Sequence, residues 1–211
     1  MNKIIRKIGM TIGLLMLTAA LFLALYNLHG EQAAQKTTEE AVNMLQRIIP
    51  EPKPVPAIAE PAIPMEMPEA EVNGQRYIGT LELPTLELTL GVISHWDAAR
   101  LQIAPCRYTG STYTDDLVIA GHNYYAHFGR LHQLQPGDRV IFTDAEGATQ
   151  AYQVVLQEIL QPEDVEEMTS GDWELTLFTC TVGGENRVTV RCQRLHEYVH
   201  EDKEKETGRN E

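Results

Sequence analysis

A thiol, an imidazole and a guanidinium stand at the ends of three apolar runs. Cys180 closes Leu175-Thr176-Leu177-Phe178-Thr179-Cys180, and Arg187 opens the next run seven residues later. His122 follows Val118-Ile119-Ala120-Gly121 far upstream. Together they offer a nucleophile, a proton carrier and an anion stabiliser, the parts needed for acyl transfer. A thiolate attacks and a thiol does not, so a neighbouring cation or base matters to Cys180. An arginine keeps its charge and presents a rigid fork of donors, which suits a developing oxyanion. Strand alternation puts Thr176, Phe178 and Cys180 on one face, with Leu175, Leu177 and Thr179 on the other. Arg187, Thr189 and Arg191 likewise share a face opposite Val188, Val190 and Cys192. If the two runs are antiparallel neighbours, Arg187 reaches the space beside Cys180, while Arg191 reads as structural.

The elements that must position these residues are short β-type runs at 77–83, 86–93, 116–121, 138–143, 151–160, 174–180 and 187–193, with a brief one near 107–108. Turn signals such as Pro136-Gly137 and Glu146-Gly147 separate them, and helical turns are expected at 97–103 and 126–134. So many short strands in one domain predict an all-β, closed eight-stranded barrel, because closure removes exposed edges.

Ahead of the domain, residues 8–28 are apolar and long enough to span a bilayer. Lys3, Arg6 and Lys7 precede this run, and the next basic residue is Lys36. That asymmetry places residues 1–7 in the cytoplasm and the rest outside. A cleaved signal peptide fits less well, because its apolar region would be shorter. Residues 29–49 read as a stalk helix with Val42, Leu45 and Ile49 on one face, set to pack on the membrane surface or another chain. Seven prolines between Pro50 and Pro68 make 50–74 an extended spacer that holds the domain off the membrane. The domain itself spans 75–195, and 196–211 is a polar tail.

The formal net charge of −13 excludes a nucleic-acid partner, which needs a basic footprint. Cys106, Cys180 and Cys192 are too few and odd in number for a disulfide scaffold. His122 and His127 with a cysteine make too loose a spacing for zinc, and no CxxC accompanies them. No cofactor is expected.

The combination Thr176-Leu177-Phe178-Thr179-Cys180, an arginine opening the next strand, and Ala120-Gly121-His122 upstream resembles the sortases of Gram-positive bacteria. Ile78-Gly79-Thr80-Leu81-Glu82-Leu83-Pro84 is similar to the family's first strand, and Gly110-Ser111 to a pair before its histidine. The likeness covers about 75–195. It implies a cysteine transpeptidase, a thiol protease-type hydrolase acting at the cell wall on an LPxTG-like C-terminal sorting signal of secreted proteins. Cys180 would attack the threonine carbonyl, Arg187 would bind its oxygen, and His122 would protonate the leaving amine. An amine of a peptidoglycan precursor or a pilin would then resolve the thioester. Thr179 and Ala120 are carried over as substrate-binding positions. Tyr124, Tyr125, Phe128 and Trp173 are expected as groove walls.

The chain departs from standard class B members, because the 161–173 connection is short. It departs from class C members in having neither their aspartate-proline lid motif nor a second anchor. Glu163, Asp164, Glu166 and Glu167 in that connection read as a solvated helical turn rather than a calcium site. Two other readings compete: a cysteine peptidase using Cys180 and His122, and a non-enzymatic anchored binding module with a Cys180–Cys192 disulfide.

Overall fold

A computed structural model describes residues 3–54 and 66–195. Most of the Pro-rich segment and the polar tail 196–211 lie outside the described residues.

The first element is one continuous helix, α1 (Lys3–Ile48), rather than a membrane span followed by a separate stalk. Gly30 is its sole helix-weakening residue at the expected junction, and one glycine costs only about 1 kcal/mol. No proline occurs before Pro50, where the helix stops. Large apolar side chains from Met10 to Leu28 are exposed, consistent with a span that lipid would cover.

Ten strands follow: β1 (Lys53–Pro54), β2 (Ala70–Val72), β3 (Gln75–Leu83), β4 (Leu88–Ile93), β5 (Cys106–Thr109), β6 (Leu117–Ala120), β7 (Arg139–Asp144), β8 (Ala148–Leu160), β9 (Leu175–Cys180) and β10 (Arg187–Arg194). Their neighbours run β8-β10-β9-β6-β5-β4-β3, and β7 pairs with both β3 and β8. The expected eight-stranded barrel therefore closes on itself. The two strands not expected, β1 and β2, are short additions to β8 and β3. The expected helical turns are present as 3-10 turns at Arg100–Gln102 and Leu131–Gln133.

The interior is filled by inward residues such as Leu81, Leu90, Ile119, Phe142, Tyr152 and Val190. All four residues of β6 are buried. Leu117 and Ile119 enter the barrel, while Val118 faces outward and is covered by Leu160 and Met168. That double burial is why the β6 sequence reads as an unbroken apolar run.

The second half of α1 packs on the barrel. Its buried stripe is Ala34, Thr38, Ala41 and Leu45, at helical spacing. Leu45 seats in a socket made by Gly91. A Cβ on Gly91 would lie 2.8 Å from Leu45 Cδ1 and 2.9 Å from the Tyr77 ring. Thr37 Oγ1 also donates to the Ile103 carbonyl at 3.3 Å. Beyond the helix, the Lys53 amide donates to the Gly147 carbonyl at 2.7 Å. The first residues after α1 are thus tied to the barrel, so this part of the Pro-rich segment does not act as a spacer.

Candidate functional site

Cys180 and Arg187 lie on the adjacent strands β9 and β10, and His122 follows the end of β6, the other neighbour of β9. Ala120 pairs with Phe178 in the parallel β6–β9 ladder, and the Gly121 amide continues it to the Phe178 carbonyl at 3.0 Å. His122 lies two residues beyond that last pair on one chain segment, as Cys180 does on the other. Arg187 is paired directly with Cys180 across the antiparallel β9–β10 ladder. The imidazole, thiol and guanidinium positions therefore form one row across the end of three strands.

The faces agree with strand alternation. Arg191 pairs with Thr176 and donates to its hydroxyl at 3.1 Å on the outer face, while Leu175, Leu177, Val190 and Cys192 lie in the barrel core. Cys180 lies on the outer face with Phe178. Cys192 pairs with Leu175 at the far end of the ladder and points the other way. A Cys180–Cys192 disulfide is geometrically excluded, and all three cysteines are free thiols. The binding-module reading loses its main structural support.

The turn between β9 and β10 is closed by Thr181. Its amide donates to the Asn186 carbonyl at 2.9 Å, and the Asn186 amide returns a bond to Thr181 Oγ1 at 3.1 Å. Gly183 and Gly184 take φ of 93° and 81°, which a side chain would resist. This shape brings the Gly184 and Asn186 carbonyls within 3.1 Å of Arg187 Nη1. Arg187 is thereby oriented through one nitrogen, and the residue lines the groove.

His122 is fixed on several sides. Its carbonyl accepts from the Phe128 amide at 3.0 Å, and Nδ1 lies 3.2 Å from Asn123 Oδ1. The ring stacks on Tyr124, with centroids 4.1 Å apart and planes 7° apart. Phe128 supports the strand end from inside: a Cβ on Gly121 would lie 2.3 Å from its ring.

A groove of about 230 Å³ opens beside Cys180 and Arg187. Its walls include Trp96, Leu101, Tyr108, Val165, Met168 and Phe178, with Ala120 and Gly121 toward His122. Tyr108 meets Phe178 edge-on at 5.4 Å, and Trp96 meets Tyr108 at 5.7 Å. The expected walls differ. Phe128 is buried in the core, Tyr124 stacks on His122, Tyr125 faces α1, and Trp173 lies by Gly171. Trp96 and Tyr108 take their place, and the only sequence signal for them is that Trp96 directly precedes the helical turn expected at 97–103. Thr179 borders the groove, but its side chain faces inward and is 3% exposed, so its contribution there comes through the backbone.

Arg191 holds the groove's upper wall, the short helix α2 (Val165–Thr169). It donates to the Glu167 and Met168 carbonyls at 2.7 and 2.9 Å and pairs with Glu158 at 2.7 Å, while only 1% exposed. The acids of this connection stay on the surface. Among the described residues, no group of three His, Cys, Asp or Glu side chains is arranged to hold a metal.

Comparison with known proteins bears on the family and the fold. The sortase domain family model matches residues 81–195, more than half of the chain. Among solved structures, sortase A from Corynebacterium diphtheriae superposes with a TM-score of 0.55 at 23% identity, covering 61% of this chain and 64% of that one. The present chain therefore spans less than two thirds of that sortase. Sortase C1 from Streptococcus suis gives 0.52 at 26% identity, covering 60% and 76%. A Clostridium perfringens sortase D5 transpeptidase gives 0.50 at 18% identity, covering 56% and 79%. No curated protein matches the sequence significantly. With a family model lying across most of the barrel and sortases among its structural neighbours, the chain belongs to the sortase family.

Proposed function

We propose that this chain is a membrane-anchored cysteine transpeptidase whose catalytic residues are Cys180, His122 and Arg187. The observation that carries the reading is the row they form across β6, β9 and β10, beside an apolar groove.

The Cys180 thiolate attacks the carbonyl of the sorting-signal threonine and forms a tetrahedral oxyanion. Arg187 donates to that oxygen as charge develops. His122 gives a proton to the departing amine, the C–N bond breaks, and a thioester forms on Cys180. An incoming amine then loses a proton to His122, attacks the thioester carbonyl and releases the thiolate. The apolar walls favour the amine by limiting water at the thioester. The substrate is an LPxTG-like signal at the C-terminus of a secreted protein, and the acceptor amine belongs to a peptidoglycan precursor or a pilin. Residues 8–28 cross the membrane with the N-terminus inside and the barrel outside. Neither metal nor cofactor takes part.

The test uses the full chain in detergent micelles with LPxTG-type peptides, with and without an added glycine-based amine. Mass spectrometry follows adducts on Cys180. A thioester that passes to the amine supports transpeptidation. Release of the acid alone, unaffected by amine, would make the protein a peptidase, and an inert Cys180 would end the enzymatic reading.

A further inference from the structure

The loop after His122 is held by the anchor helix, and its first aromatic residue lies flat on the imidazole. The Tyr124 ring is nearly parallel to that of His122, 4.1 Å away, and tilted at 58° to that of His127 at 5.5 Å. The Tyr124 carbonyl accepts from the His127 and Gly129 amides at 2.9 and 2.8 Å, so its backbone is pinned as well. On the far side stands α1. A Cβ on Gly30 would lie 3.8 Å from the Tyr124 hydroxyl, which puts the helix backbone in close reach of the ring. One residue on, the Glu31 carboxylate accepts from the Tyr125 amide at 2.9 and 3.1 Å. These contacts join residues more than ninety positions apart in the sequence. Local turn chemistry does not require them.

We propose that Tyr124, braced by α1 through Gly30 and Glu31, is a positioning residue for His122. The anchor helix is on this view a working part of the active site as well as a tether. The inference rests on the catalytic role proposed for His122. A proton carrier must hold its ring within a fraction of an ångström of the productive geometry, and a flat aromatic neighbour removes the ring's freedom to swing. The aromatic face also suits the cation that a proton carrier becomes in mid-reaction.

The test again uses the full chain in detergent micelles, with an LPxTG-type peptide and a glycine-based amine as probes. Tyr124→Ala is expected to lower kcat by roughly 10- to 100-fold with KM nearly unchanged, because geometry at the reacting proton is lost and binding is not. Tyr124→Phe keeps the stacked ring and restores most of the rate. In a His122→Ala background, Tyr124→Ala should cause no further loss. A full-rate Tyr124→Ala enzyme would overturn the proposal, as would a loss that persists undiminished without His122.

A readout independent of turnover separates this inference from the functional reading. In labelled protein the His122 Cε1 proton should show an upfield ring-current shift that vanishes in Tyr124→Ala and weakens in Glu31→Ala. An absent shift sinks the stacking even if the enzyme is active. A shift unchanged by Glu31→Ala removes the helix from the argument. If wild-type protein shows the shift but never acylates Cys180, it is the catalytic reading that fails.

Discussion

The three cysteines show how environment assigns chemistry to one residue type. Cys106 is fully buried, and burial, aided by the nearby Asp97 charge, pushes its thiol up to about 12. Cys192 is pushed up by burial alone. Cys180 is half-buried at a strand end and opens on the groove. Intact protein should therefore label at one cysteine with iodoacetamide near neutral pH, and Cys180→Ala should abolish that labelling and the activity with an unchanged circular dichroism spectrum. Labelling that survives this substitution would contradict the assignment. Arg187→Lys tests the fork: lysine keeps the charge but loses the paired planar donors. A fall of about 100-fold in kcat/KM is expected, and wild-type rates would remove Arg187 from the mechanism.

His127 makes a prediction about stability. It is fully buried, and neither ring nitrogen makes a hydrogen bond of normal geometry. Burial, with the neighbouring His122 charge, lowers its pKa to about 4. Because the folded value lies below the unfolded one, its contribution is complete above about pH 6.5 and is lost as pH falls toward 4. The loss amounts to about 3 kcal/mol across that window. Urea unfolding at pH 7 and pH 4.5 should show a smaller difference in His127→Phe than in wild type. Equal differences would mean that His127 is not buried neutral.

Among the elements, α2 depends most on a single side chain. It is a short helix, and its Asp164 cap residue makes no side-chain bond to the helix. Arg191 holds it instead, by two carbonyls, while pairing with Glu158 and Thr176 on the sheet beneath. Removing one partner of a buried ion pair costs about 3–5 kcal/mol. Arg191→Met should therefore lower stability by that order and free α2 to move. Val165 and Met168 line the groove, so KM should rise by a larger factor than kcat falls. Peptide kinetics with limited proteolysis near 161–172 would check this. A loop as protease-resistant as wild type would show that packing of Met168 alone suffices.

At the scale of the molecule, one helix carries both the candidate membrane span and a stripe packed on the barrel. The net charge of −13 opposes binding to an anionic lipid surface, so on the proposed reading attachment falls to the apolar half of the helix. Its apolar segment ends at Leu28, and Gly30 and Glu31 already touch the loop after His122. The loop after His122 is thus held close to the apolar half of the helix. Leu45, fully buried against Tyr77 and Gly91, is the main peg of this docking. Leu45→Ala should cost about 2–5 kcal/mol, read as a lower unfolding temperature of the full chain in detergent. An unchanged temperature would show that the helix does not dock.

What the sequence determined by itself is what local pattern encodes. The two-residue period marked the faces of β9 and β10, and turn residues marked the approximate places of the eight barrel strands, with bounds up to three residues off, as at β8. The run of 21 apolar-segment residues at 8–28 marked a candidate span. Cys180, His122 and Arg187 stand out as candidates in the sequence because each lies at or just beyond a strand end, and a strand end is visible in the sequence. The tertiary structure decided what depends on residues far apart in the chain. It brought Trp96 and Tyr108 to the groove instead of Tyr125, Phe128 and Trp173, gave Arg191 its four acceptors, and turned Ala34, Ala41 and Leu45 toward the barrel. A periodic stripe says that a face is buried. What covers it is set by how the barrel closes, and closure is a property of pairings between strands, not of any one segment.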